Sequence, residues 1–205
     1  MKIEIENPEI LRNHELQKVC FEKGEEIVGQ TDNEQTEANQ NFEIQVGEPL
    51  SCQIDYSMSE QELEGYFDKQ MELISAGQEN LANIELAMLG YAFDFIDFSK
   101  KAANVEINFS EDNVEVFDAI LEAVHKLVAA GNMPQERFND IAKQATAFFG
   151  VLILKNLGGD WVQSNVGMAM NIHGTNAFLY NRVTRRIVNG QEDDVISFYE
   201  ALKNL

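Results

Sequence analysis

The stretch Lys155-Asn156-Leu157-Gly158-Gly159-Asp160-Trp161-Val162 decides how this chain folds. It follows ATAFFGVLIL at residues 145–154, an almost uninterrupted apolar run. A helix that is apolar on every side needs cover on every side, so this run is expected at the centre of the core. Pro134 suits the opening of that helix, where its missing N–H is not needed. Two adjacent glycines then end it. The residue just past a helix C-terminus often turns left-handed, which glycine does without steric cost. In a phosphate-binding loop the glycines precede a helix and its N-terminus faces the anion; here they follow one. A helix C-terminus carries partial negative charge and repels phosphate. The octapeptide therefore reads as a helix exit, with Trp161 anchoring the strand that follows.

Downstream, residues 161–163 and 168–172 suit one hairpin, with residues 164–167 as its turn. Helices are predicted over about residues 176–188, closed by Gly190, and over about residues 193–203. Upstream, Ser110 starts a helix with Val114, Phe117, Leu121, Val124 and Val128 on one face, and Gly131 ends it. Phe67, Ile74, Leu81, Met88 and Phe95 recur every seven residues, with Gly77, Ile84, Tyr91 and Phe98 three later. Such a repeat is a single stripe down a helix. Ser57 or Ser59 with Glu60 or Glu62 offers a capping box at its start. A break is expected near Ala76-Gly77, because an interior glycine costs about 1 kcal/mol.

At the beginning of the chain, residues 2–6 alternate like a strand, and Asn7-Pro8 opens a helix over residues 9–23. Residues 29–41 are a polar surface loop. Phe42, Ile44 and Val46, then Leu50, Cys52, Ile54 and Tyr56, alternate as a further hairpin around Gly47-Glu48-Pro49. The expected class is α+β: mostly helical, with a long amphipathic helix, a central buried helix and short antiparallel hairpins. Two regions are distinguished, an acidic one at 1–109 and a helical one at 110–205. Residues 100–109 contain no proline or glycine, so the two are expected to form one continuous body.

The charge is uneven. Thirty-five acids against 15 bases give −20 over 205 residues. Residues 1–100 carry 22 acids and 6 bases (−16), and residues 101–205 carry 13 and 9 (−4). Such a surface repels nucleic-acid phosphates and anionic membranes, and it steers a basic protein inward. Cys20 and Cys52 are the only cysteines, which is no disulfide framework. The start lacks an apolar signal core, and residues 145–154 are too few to span a bilayer, which takes about 20. A cytoplasmic location is expected.

Motifs for chemistry are sparse. No HExxH, GxSxG or paired Cys-x-x-Cys occurs, and His14, His125 and His173 are far apart. No metal or cofactor is expected. The residues singled out for partner or ligand contact are His173 and Asn176, in a polar turn leaving a strand, and Arg182, Arg185 and Arg186. These arginines share a helical face at spacings of three and four. They also suit ion pairs within so acidic a chain. Asp193-Asp194 favours the N-terminus of the last helix.

Phe149-Gly150, Leu157-Gly158-Gly159, Trp161, the Arg182–Arg186 cluster, Gly190 and Asp194 carry a resemblance. On them, residues 110–205 resemble a family of uncharacterised bacterial domains. The resemblance implies a small α+β body with a Gly-Gly-x-Trp helix-to-hairpin turn, and it carries over no catalytic residue. The resulting expectation is a non-enzymatic binding protein, an immunity-type inhibitor of a basic protein. The alternatives are an enzyme with a non-standard site near His173 and the arginines, and a scaffold self-associating through the Phe67–Phe98 stripe.

Overall fold

The computed structural model describes residues 3–5, 54–78, 81, 83–164 and 167–205. They form six α-helices and one three-stranded sheet. The expected helix at residues 9–23, the loop at 29–41, the hairpin strand at 42–46 and both cysteines lie outside the described residues.

The chain enters α1, Glu60–Ser75, through a capping box. Ser59 accepts from the Glu62 amide at 3.3 Å, and Glu62 accepts from the Ser59 amide at 2.8 Å. Ile54–Tyr56, expected to end a hairpin strand, are instead a bend and turn leading to this cap. The Asp55 carboxylate accepts from the Ser57 amide at 2.9 Å and turns the backbone off an extended path. Ile3–Ile5 likewise lie outside any strand, although Ile3 is buried.

The heptad stripe divides where Gly77 takes φ +100°. After the break Asn83 caps α2, Ile84–Ala103, by accepting from the Leu86 amide at 2.8 Å. Phe67, Ile74, Met88, Tyr91, Phe95 and Phe98 are all buried. Most of this stripe therefore faces the molecule's own interior, while Leu81 and Ile84 are half-buried. A 3-10 turn, Glu111–Asn113, leads into α3, Val114–Ala129, and α4 is Gln135–Leu157.

α4 is the central rod. Ala145 and residues 147–153 other than Gly150 are fully enclosed, and α2 packs along it more extensively than any other element pair. Phe148 sits among Phe95, Phe109 and Phe117, with ring centroids 5.3, 5.4 and 5.2 Å away. Buried side chains from both halves of the chain, Phe67 and Phe95 as well as Phe148 and Ile187, belong to one cluster.

Six of the eight residues of the opening stretch have an identifiable task. Lys155 donates to the carbonyls of Tyr56 and Met58, tying the entry of α1 to the end of the rod. Asn156 donates to the Phe109 carbonyl at 2.8 Å. Gly158 and Gly159 take φ +75° and +108°, and a Cβ on Gly159 would lie 2.5 Å from the Asn171 carbonyl oxygen. Asp160 starts β1, Asp160–Ser164, which pairs antiparallel with β2, Gly167–Ile172. The indole of Trp161 then covers Gly150 on the rod.

A third strand, β3, Thr175–Ala177, extends the sheet in the order β1-β2-β3. Its last two residues, Asn176 and Ala177, were expected to begin a helix. The two-residue turn His173-Gly174, φ +49° and +85°, folds them back on β2 instead. α5 accordingly starts later, at Leu179–Asn189. A 3-10 turn, Gly190–Asp193, separates it from α6, Val195–Lys203, whose cap Asp194 accepts from the Ser197 amide at 2.7 Å. No helix among the described residues is long and apolar enough to cross a membrane.

Candidate functional site

The structure separates the residues singled out from sequence. His173 is exposed at the tip of the β2–β3 turn. Asn176 accepts from the Asn171 side chain at 2.8 Å, a cross-strand bond inside the sheet. The arginines lie on α5 and face carboxylates. None of the five lines either of the two clefts described below.

Arg186 is enclosed, 1% exposed. Its Nε and one terminal nitrogen each bond the Asp118 carboxylate at 2.8 Å, and the other bonds Glu122 at 2.8 Å. Asp118 also accepts from the Val195 amide at 3.0 Å. One carboxylate on α3 thus holds both α5 and the first turn of α6. Burial opposes the Arg186 charge, but the hydrogen bonds and charges of Asp118 and Glu122 outweigh it and keep the guanidinium protonated. Arg182 and Arg185 contact Asp193 at 3.2 and 3.0 Å, and Arg182 also donates to the Asp194 carbonyl. The Asn189 amide and these arginines hold Asp193 below the usual carboxylate range. His125 completes the joint, its Nδ1 2.9 Å from the Ile187 carbonyl and its ring against Gly190. The cluster works as architecture between α3, α5 and α6.

Two clefts among the described residues offer room for a ligand or partner. The first, about 350 Å³, lies between the start of α3 and α6. Glu111, Asp112, Glu115 and Glu200 surround it, and Val114, Ile196 and Tyr199 form its apolar part. Tyr199 is 1% exposed, and its hydroxyl has no hydrogen-bond partner among the described residues. Burial, then the Glu111 charge, pushes that phenol up to about 12, so it stays protonated. One ammonium already meets some of these groups. Lys203 pairs with Glu111, lies 3.5 Å from Glu200, and has its Nζ 5.8 Å from the Tyr199 ring centroid. Sequence reading missed this group because Glu111 and Glu200 are 89 positions apart. Among 35 acids nothing marks these four.

The second, about 370 Å³, lies between α2, α4, the sheet and the start of α5, with mostly apolar walls that include Trp161. Among the described residues no group of three His, Cys, Asp or Glu side chains is placed to hold a metal ion. Comparison with family models, with curated proteins and with solved structures returns no match.

Replacing Arg186 with Met leaves Asp118 without its cation in a buried place. A loss of about 3–5 kcal/mol is expected by chemical denaturation. Glu122 is held below its ordinary 4.5, first by its hydrogen bond from Arg186. A depressed carboxylate stabilises the fold above its unfolded value and loses that contribution as pH falls through the folded one. The stability gap between wild type and Glu122→Gln should therefore be full at neutral pH and shrink as pH drops below 4.5. Denaturation series from neutral to acid pH measure it.

Proposed function

We propose that this is a non-enzymatic cytoplasmic binding protein that captures a basic protein and acts as an immunity-type inhibitor. The observation that carries the reading is the cleft between α3 and α6. It combines four carboxylates, an apolar part and a buried tyrosine, and two of those carboxylates and the tyrosine ring are met by the Lys203 ammonium, which does not itself line the cleft. The contacts of Lys203 support this reading: a cationic side chain lies near a ring and pairs with two carboxylates. A lysine or arginine from a partner would use the same groups, with Glu115 and Asp112 still to pair.

The physics of such a complex follows from the charge. The −20 field draws a cationic surface in and raises the association rate, and salt weakens that effect. Tyrosine and arginine are enriched at the energetic centres of interfaces, and Tyr199 lines this cleft.

The test separates the cleft from the overall charge. Glu115→Lys and Glu136→Lys change the net charge equally, but only Glu115 lines the cleft. Basic proteins retained from a bacterial lysate at low salt are identified, and the affinity of the main one is measured against each variant. Glu115→Lys should weaken it about tenfold or more, with Glu136→Lys close to wild type and high salt weakening all three. Equal losses in both variants, or no basic protein retained, would reject the reading.

A further inference from the structure

Asn189-Gly190 is the chain's one Asn-Gly pair, and it sits where α5 ends at the arginine joint. An asparagine before a glycine is chemically labile. The glycine nitrogen loses its proton to base and attacks the asparagine Cγ. The Cγ–Nδ2 bond breaks, and the side-chain nitrogen leaves as ammonia. Water then opens the succinimide ring at either carbonyl, giving aspartate or isoaspartate. Glycine favours the attack because no Cβ hinders the approach of its nitrogen.

The native fold holds this reaction off. Asn189 has ψ −12°, so the Gly190 nitrogen nearly eclipses the Asn189 nitrogen, whereas ring closure needs it to eclipse Cβ. The Gly190 N–H donates to the Arg186 carbonyl, which withholds the attacking atom. The Asn189 Nδ2 donates to Asp193 Oδ2 at 2.7 Å, which fixes the group under attack. Asn189 itself is exposed, so water reaches it and the protection is conformational. Nor can the fold exchange the glycine for a bulkier, slower residue. Gly190 takes φ +73°, and a Cβ there would lie 2.8 Å from the His125 Nε2.

We infer that Asn189 is a conditional modification site: it stays an amide while the end of α5 is seated against α3 and α6, and it becomes a carboxylate when that joint opens. Conversion then prevents the joint from closing as before. Asp193 loses its 2.7 Å amide donor and meets a second negative charge in the same place. An isoaspartate also adds a Cβ to the main chain shortly before Val195, whose amide must reach Asp118 at 3.0 Å. A lasting opening of the joint is thereby made permanent. The inference is independent of the partner-binding reading, since it concerns the joint and not the acidic cleft.

The intact protein is kept in mildly alkaline buffer, either native or unfolded in urea, and peptide mapping by mass spectrometry follows the conversion of Asn189 to both products. The unfolded chain should convert about tenfold faster or more, because only the open fraction of the native protein reacts. Asp193→Ala and Arg186→Met, which loosen the joint, should raise the native rate and leave the rate in urea unchanged. Where circular dichroism shows Arg186→Met unfolded, Asp193→Ala carries this arm. Asn189→Asp should have a lower urea midpoint than Asn189→Ala, which removes the donor without adding a charge. Three results would overturn the inference: equal rates in native and unfolded wild type, a native rate unmoved in Asp193→Ala, or an Asn189→Asp midpoint at or above that of Asn189→Ala.

Discussion

The indole of Trp161 lies against Gly150, where a Cβ would sit 2.2 Å from Cζ2 and 2.3 Å from Cη2. No side chain larger than hydrogen fits between them, so the sheet reaches the buried rod at this point only because residue 150 lacks one. Gly159 performs a similar service nine residues later, letting the backbone pass the Asn171 carbonyl. The helix exit, the hairpin that follows and the placing of α5 all depend on this close approach. The cleft lined by Trp161 is a by-product of the same contact, since the indole forms part of its wall.

A second joint holds the other side of the rod. Asp118 receives a bidentate guanidinium from α5 and an amide from α6, and His125 receives the end of α5. Buried ion pairs contribute little net stability, but they enforce a particular geometry because any other leaves a charge unpaired. Here the enforced geometry sets α6 beside α3, which is what brings Glu200 and Lys203 to Glu111. The acidic cleft exists because the arginine cluster is spent on structure.

Much of this was legible in the residues. A run as apolar as 147–154 admits no exposed face, the Ser59–Glu62 pair marks a helix start, and Gly158-Gly159 marks a stop. What escaped were features set by distant neighbours. β3 is three residues long and is a strand only because β2 lies beside it. Ile54 and Tyr56 alternate like a strand, yet Asp55 and Lys155 claim the backbone for a turn. The arginines stood out as cations on an acidic background. Which of 35 acids they meet is a property of the fold. An uncapped helix start at Phe178 has no sequence signal, because the usual capping residues are absent.

The contact between residues 150 and 161 can be tested by one substitution whose sign decides the matter. By helix propensity alone, Gly150→Ala should stabilise α4 by about 1 kcal/mol. If the indole occupies the space of the missing side chain, the added methyl group overpacks the core and stability falls by about 1–3 kcal/mol instead. Urea denaturation of Gly150→Ala should show that loss, and adding Trp161→Leu should return part of it. A Gly150→Ala protein as stable as wild type, or more so, would contradict the account of how this chain folds.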